Sequence, residues 1–375
     1  MENNLKIAIT QGDTNGIGLE LVLKTFSIPE MFELCTPVLY ANEKVLQQHR
    51  KALGYGGVQY KLVNSPEQAE NGCLNLVPVT VEGAEINVTF GRPDDIAGRM
   101  ALAAMEAAIA DANTGKVDAL VTCPINLASM PKEEFPYPSL TDYLSAKIPG
   151  DGVMILTNPY MRIAMATNHM PLKDVVEAVT PELIEARIRQ SYRSVERDFL
   201  CSAPRVAVLG LNPHAGASGL LGSEEEEKIA PVIKNLAETD GIRVFGPYAA
   251  DGFFGAAMYK HFDSVLAMYH DQGVIPFKAL TMTEGVNYTA GLDVVCTAPS
   301  HGPAFDRAGK GTADETSFLH AVYAAVDIFR HREVYDNAHA NPLPHYAMQH
   351  ERPAGERRRF PVEQQNNVSG EEQCK

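Results

Sequence analysis

Three histidines stand just beyond three separate apolar runs. Arg162-Ile-Ala-Met-Ala-Thr167 leads to His169, Arg205-Val-Ala-Val-Leu-Gly-Leu211 to His214, and Asp263-Ser-Val-Leu-Ala-Met-Tyr269 to His270. Neutral imidazoles ligate divalent ions. Three of them converging on one crevice would hold an ion and leave a coordination position free for a substrate oxygen, as catalytic rather than structural sites do. Taken singly, each is also what an ordinary loop would contain, satisfied by backbone hydrogen bonds. The neighbours favour the ligand reading. Asn168-His-Met-Pro, Asn212-Pro-His-Ala-Gly and Tyr269-His-Asp-Gln-Gly273 are polar, turn-rich contexts rather than helical faces.

The elements that must position these side chains follow from the pattern around them. Each run has the length and β-branched content of a buried strand, so each histidine is expected at a strand's carboxyl end, the edge where open α/β sheets bind ligands. Strand-like and helix-like segments alternate along most of the chain, which predicts a largely parallel sheet covered by helices on both faces. Leu5 to Thr10 reads as the first strand and Leu19 to Thr25 as the helix after it; Ala101 to Ala112 is helical and feeds a strand at Val117 to Thr122. Thr180-Pro181 is an N-cap followed by proline at the first helical position, opening a helix to about Phe199. Ser223-Glu-Glu-Glu-Glu227 opens another, its acids placed where the helix dipole favours them. Ala313 to Phe329 is the last long helix, and periodicity ends at about Arg330.

Composition bounds the function. With 375 residues the chain is long for one core, and two domains are expected. No apolar stretch reaches membrane-span length and the first residues lack a basic start before an apolar core, so a soluble cytoplasmic protein is expected. The six cysteines, at 35, 73, 123, 201, 296 and 374, show no paired spacing for zinc or redox chemistry. A formal charge of −15 argues against nucleic acid or an anionic membrane as partner. The glycine-rich segment Gln11-Gly-Asp-Thr-Asn-Gly-Ile-Gly18 is neither a Rossmann fingerprint nor a P-loop. Its glycines either permit a tight strand-to-helix turn or leave backbone N–H groups free for an anion.

Taken in order, Ile9-Thr-Gln-Gly-Asp-Thr-Asn-Gly-Ile-Gly18, Thr122-Cys-Pro-Ile-Asn126, Gly210-Leu-Asn-Pro-His-Ala-Gly216, Ala267-Met-Tyr-His-Asp-Gln-Gly273 and Gly285-Val-Asn287 resemble the 4-hydroxythreonine-4-phosphate dehydrogenases, the PdxA family of vitamin B6 biosynthesis. The resemblance runs from about residue 5 to 330. It implies an isocitrate/isopropylmalate dehydrogenase-like fold, two α/β/α domains flanking a cleft: 1–132 with 305–335, then 133–304, leaving 336–375 as a polar, mobile tail. It implies a homodimer, a phosphorylated small-molecule substrate, NAD bound without the Rossmann fingerprint, and a divalent metal (Zn, Co or Mg) held by His169, His214 and His270, with His270 of one subunit meeting the other two ligands of its neighbour. Thr141, Lys278 and Asn287 would contact substrate, and Asp251, Asp271 and Lys278 would be catalytic. The activity implied is oxidation of 4-phosphohydroxy-L-threonine to a β-keto acid that decarboxylates to 3-amino-2-oxopropyl phosphate.

The sequence departs from the family at substrate-site positions. Leu140 stands where the family has histidine, Cys296 where it has arginine, Leu127 for a lysine and Ser300 for an aspartate. An arginine fork binds phosphate bidentately and cysteine cannot replace it. The alternatives are therefore a paralogue oxidising another phosphorylated four-carbon hydroxy acid, or a metal- and ligand-binding homologue with impaired turnover.

Overall fold

The computed structural model describes residues 4–83, 86–281 and 283–341. Its strands are β1 (Lys6–Thr10), β2 (Thr36–Ala41), β3 (Tyr60–Leu62), β4 (Leu74–Pro78), β5 (Ala119–Thr122), β6 (Gly150–Asn158), β7 (Met161–Met165), β8 (Val206–Leu209), β9 (Val244–Tyr248), β10 (Ser264–Ala267), β11 (Val286–Leu292) and β12 (Val295–Pro299). The helices are α1 (Gly18–Thr25), α2 (Met31–Leu34), α3 (Glu43–Leu53), α4 (Asp95–Asn113), α5 (Leu140–Lys147), α6 (Leu172–Ala178), α7 (Pro181–Asp198), α8 (Ala230–Thr239), α9 (Ala250–Gly255), α10 (His270–Leu280) and α11 (Thr316–His339).

All twelve strands lie in one sheet, in the order β3-β4-β2-β1-β5-β12-β11-β6-β7-β10-β8-β9. The expected α/β class is what is found. Two parallel blocks, β3 to β12 and β7 to β9 in that spatial order, are joined by β11 and β6, which pair antiparallel with each other and with their neighbours. β2, β5, β8 and β10 are buried along their whole length, as strands covered on both faces must be, and read as unbroken apolar runs for that reason. The three strands that precede the histidines are spatial neighbours in the second block, with β10 between β7 and β8.

Several boundaries move for local reasons. The helix over Ala101–Ala112 starts earlier, at Asp95, because Asp94 caps it by accepting from the Ala97 N–H at 2.7 Å. Thr180 caps α7 through the Leu183 N–H, with Pro181 at the first position, as the sequence predicts. The helix expected from Ser223 begins as a π turn over Glu225–Ile229 before α8. α11 continues past Arg330 to His339, so the first residues of the expected tail are helical, and Asp336 takes both Arg197 Nε and Nη2 at 2.9 and 2.6 Å. Residues 342–375 lie outside the described residues. In the glycine segment most N–H groups are spent internally: Gln11 on Tyr40 O, Asp13 on Pro124 O, Asn15 on Asp13 Oδ1, Gly16 on Asp13 O and Ile17 on Pro303 O. A β-carbon on Gly16 would stand 2.7 Å from Pro303 Cβ, so this glycine serves close backbone packing.

One buried network fastens α7, α11 and β11 together. Arg332 donates from Nε to Asp198 Oδ1 at 2.7 Å and from Nη2 to the Tyr288 hydroxyl at 2.8 Å, and that hydroxyl donates to Asp198 Oδ2 at 2.7 Å. All three side chains are at most 5% exposed. A desolvated pair of this kind contributes modestly while intact, but removing one partner strands a buried charge. Arg332→Leu should therefore lose about 3–5 kcal/mol of stability in urea unfolding. A loss under 1 kcal/mol would mean that the network is incidental.

Candidate active site

The cleft floor is built from one row of the sheet. Leu156 on β6 pairs in register with Asn287 on β11, which pairs with Ala298 on β12, and the three side chains share one face. α5 and α10 rise on either side. Together with the loops after β5, β7 and β12 they enclose about 220 Å³, lined by Thr141, His169, His270, Lys278 and Asn287 and by the apolar Ile125, Met154 and Val274. That is room for a small molecule.

α5 is held by its own sequence. Ser139 caps it, its hydroxyl accepting from the Asp142 N–H at 3.1 Å while also donating to the Asp142 carboxylate. Tyr143 anchors the buried side by stacking on Phe135, ring centroids 4.7 Å apart. Thr141 is thereby fixed at the cleft wall, with its hydroxyl 3.4 Å from that of Thr289. Asn168 Nδ2 reaches Asp142 Oδ1 at 3.4 Å and ties the His169 loop to the same helix.

His169 and His270 are zipped together by the ladder that carries on past the ends of β7 and β10. Ala166 N donates to Ala267 O at 2.8 Å, and Thr167 Oγ1 to Met268 O at 2.7 Å. Their ring centroids end 4.7 Å apart. His270 opens α10 rather than sitting in a turn. Its Nδ1 lies 2.7 Å from Asp271 Oδ1, and because a carboxylate only accepts, Nδ1 donates and Nε2 is the nitrogen turned to the cleft as a ligand atom. Desolvation in the cleft wall lowers the His169 pKa, the neighbouring His270 lowers it further, and Asp142 opposes. Two adjacent imidazoles, one oriented by a carboxylate, form a donor set suited to a divalent ion.

His214 is not with them. It sits in a turn after β8, facing a separate hollow that it lines with Asp251, Tyr269 and Gln272. Tyr269 also borders the hollow at the cleft mouth, where Asp271 lies beside His169 and His270. Among the described residues no group of three or more His, Cys, Asp or Glu side chains gathers within one chain closely enough to hold an ion. One chain thus brings together His169, His270, Thr141, Lys278, Asn287 and, at the mouth, Asp271, and it keeps His214 with Asp251 apart.

Of the departures from the family, Leu127, Leu140 and Ser300 line the cleft. Cys296 does not. It lies two residues before Ala298 on the same face of β12, opposite Thr289, and is 1% exposed, its burial pushing the thiol pKa up to about 12. The sequence reading also passed over His301. Its Nδ1 donates to Gly302 O at 3.0 Å, leaving Nε2 buried at the cleft with no hydrogen-bond partner among the described residues, as is Asn287 Oδ1. Desolvation first, then Lys278, holds the His301 pKa below its usual value. The segment Ser300-His301-Gly302 was visible in the sequence, but nothing in its spacing distinguished the histidine.

Residues 33–325 match the family model described as pyridoxal phosphate biosynthetic protein PdxA. The chain is 49% identical over 345 residues to a Bacteroides thetaiotaomicron protein named 4-hydroxythreonine-4-phosphate dehydrogenase, covering 91% of this chain and 93% of that one. A Cupriavidus necator protein named D-threonate 4-phosphate dehydrogenase is 35% identical, with 87% and 98% of the two chains covered. The crystal structure of the Klebsiella pneumoniae 4-hydroxythreonine-4-phosphate dehydrogenase superposes with a TM-score of 0.75 at 30% identity, over 88% of this chain and 99% of that one.

Because Ser139 both caps α5 and fixes Thr141, Ser139→Ala should cost about 1 kcal/mol in denaturant unfolding. It should also raise KM more than it lowers kcat. A variant with unchanged stability would show that the cap carries no load.

Proposed function

We propose, since this chain belongs to the PdxA family of pyridoxal phosphate biosynthetic proteins, that it is an oxidoreductase converting 4-phosphohydroxy-L-threonine to a β-keto acid that decarboxylates to 3-amino-2-oxopropyl phosphate. The observation that carries this reading is the meeting of His169, His270, Thr141, Lys278 and Asn287 around one small cleft. A divalent ion (Zn, Co or Mg), when bound, would polarise the substrate hydroxyl and the later carbonyl, and NAD would accept the hydride. The residues have separable tasks. His169 and His270 offer imidazole nitrogens as ligands. Asp271 orients His270 through Oδ1 and keeps Oδ2 free to accept the hydroxyl proton, with Asp251 the second carboxylate for that step. Thr141 Oγ1 and the unpartnered Asn287 Oδ1 hold the hydroxyl and amine end, while Lys278, on the exposed side of α10, meets the phosphate.

A second copy of the chain completes the site. His214 and the histidine pair line two hollows that share Tyr269, and exposed apolar side chains stand on the segments that carry them: Leu220 at 82% just past the His214 turn, Leu172 at 69% in the hollow at the cleft mouth and Ile275 at 63% on α10. Apolar surface of this size and position favours a partner face. The division favoured by the geometry takes His214 from one subunit and His169 with His270 from the other. The second reading, oxidation of another phosphorylated four-carbon hydroxy acid such as D-threonate 4-phosphate, is favoured by Leu127 and Leu140 in the cleft wall.

Formation of reduced nicotinamide from 4-phosphohydroxy-L-threonine, with D-threonate 4-phosphate run alongside, tests the function directly. No turnover of either with any divalent ion would refute it. Asp271→Asn should lower metal affinity roughly 10- to 100-fold while leaving the fold intact. Mixing His169→Ala with His214→Ala protein should restore turnover that neither has alone; no recovery after verified subunit exchange would refute the shared site. Leu140→His should raise kcat/KM on 4-phosphohydroxy-L-threonine about tenfold, the worth of one recovered charge-assisted contact. A Leu140→His protein no better than its parent would mean that the cleft is shaped for the other substrate. Cys296→Arg is unsuitable as a companion, because its guanidinium would start from a buried position beside the cleft floor.

A further inference from the structure

The turn that carries His214 has a backbone that should not persist unaided. His214, Ala215, Ala217 and Ser218 all have positive φ, at 52°, 49°, 47° and 55°, with Gly216 between them at 81°. Left-handed backbone crowds the β-carbon of every non-glycine residue, so such a run survives only where its surroundings over-determine it. At the centre of those surroundings is one carboxylate. Glu225 is 3% exposed, its Oε1 accepts from the Asn212 backbone N–H at 2.7 Å, and its Oε2 accepts from Asn212 Nδ2 at 3.0 Å. The same carboxylate fills the hollow of the turn. A β-carbon on Gly216 would stand 2.6 Å from Glu225 Oε2, and one on Gly210 would stand 3.1 Å from Oε1.

Neither feature is explained by the helix dipole, which accounts for acids in a first turn but not for burying one. Glu224 is only half-buried, as a first-turn acid can be, and takes Asn212 Nδ2 at 2.7 Å. Glu225 leads the π turn Glu225–Ile229, and widened turns of this kind concentrate at functional sites. From the other side Gln272 donates to Gly210 O at 2.7 Å while accepting from Met268 N at 2.7 Å, so the His214 turn is referenced to the strand that leads to His270.

We propose that Glu225 is a positioning residue for His214: its buried carboxylate pins Asn212 and fills the left-handed turn, so that the imidazole is presented in one orientation before any ligand arrives. This rests on the reading of His214 as a metal ligand, and the test separates the two. Hydrogen–deuterium exchange over residues 211–222 of the full-length protein, with Co²⁺ absorption titrations and thermal melting, is measured for the parent, Glu225→Gln, Glu225→Ala and His214→Ala. Glu225→Ala should speed exchange at residues 212–218 at least tenfold. Glu225→Gln keeps an acceptor for the Asn212 N–H but turns an amide toward Nδ2. It should therefore weaken Co²⁺ binding about tenfold and shift the Co²⁺ d–d bands at an unchanged melting temperature, with an exchange rate between parent and alanine.

Parent-like exchange in Glu225→Ala overturns the proposal. So does a Glu225→Gln protein that loses Co²⁺ only in step with its melting temperature, because that is general destabilisation. If Glu225→Ala does not fold, parent-like Co²⁺ spectra in Glu225→Gln overturn it alone. Unchanged Co²⁺ binding in His214→Ala removes the ligand reading of His214, and Glu225 is then judged by exchange, which involves no metal.

Discussion

β11 is the strand on which the molecule depends. It pairs antiparallel with β6 on one side and β12 on the other, and so joins two parallel blocks into one sheet. Side chains alternate faces along a strand, and β11 uses both. Asn287 points into the cleft, in register with Leu156 and Ala298, while Tyr288 points the opposite way into the Asp198–Arg332 network. A slip of one residue would exchange these environments, burying an amide where a phenol is needed and placing an aromatic ring in the cleft. The buried ion pair and the ligand site are thus two readouts of one register.

The histidines show how a shared strand block does not guarantee a shared site. β7 and β10 continue their ladder into the loops, and that continuity makes His169 and His270 a single unit. β8 lies directly beside β10, yet its chain leaves the sheet through a left-handed turn, and His214 departs with it. Within one chain, His169 and His270 therefore stand together and His214 stands apart. A metal shared between two copies, as proposed, would couple assembly to activity.

The cleft wall has a chemical asymmetry. Its mouth holds the imidazoles, the Asp271 carboxylate and Lys278, whereas Leu127, Leu140, Ile125 and Met154 make the inner wall apolar. Polar atoms that remain there, Asn287 Oδ1 and His301 Nε2, have no partner among the described residues, and buried groups of that kind are costly unless a ligand or water satisfies them. The floor therefore calls for a ligand with donors at fixed places more than for one with many charges.

The amino-acid sequence by itself determined the α/β class and most of the elements, and it singled out His169, His214 and His270 as candidates, because strand burial, helix caps and the motifs around those histidines are local and leave local patterns. It did not determine that β6, β7 and β11 would pair antiparallel, that Cys296 would be buried beside the cleft rather than lining it, or that Glu225 would be buried rather than a solvated first-turn acid. Nor could it show that α11 would outrun its periodicity, since Asp336 is held there by Arg197, far away in the chain. Which two of the three histidines meet was equally beyond it. Spacing says that three strands end in histidine; only the packed sheet, by continuing one ladder and bending another chain away, decides which rings come together.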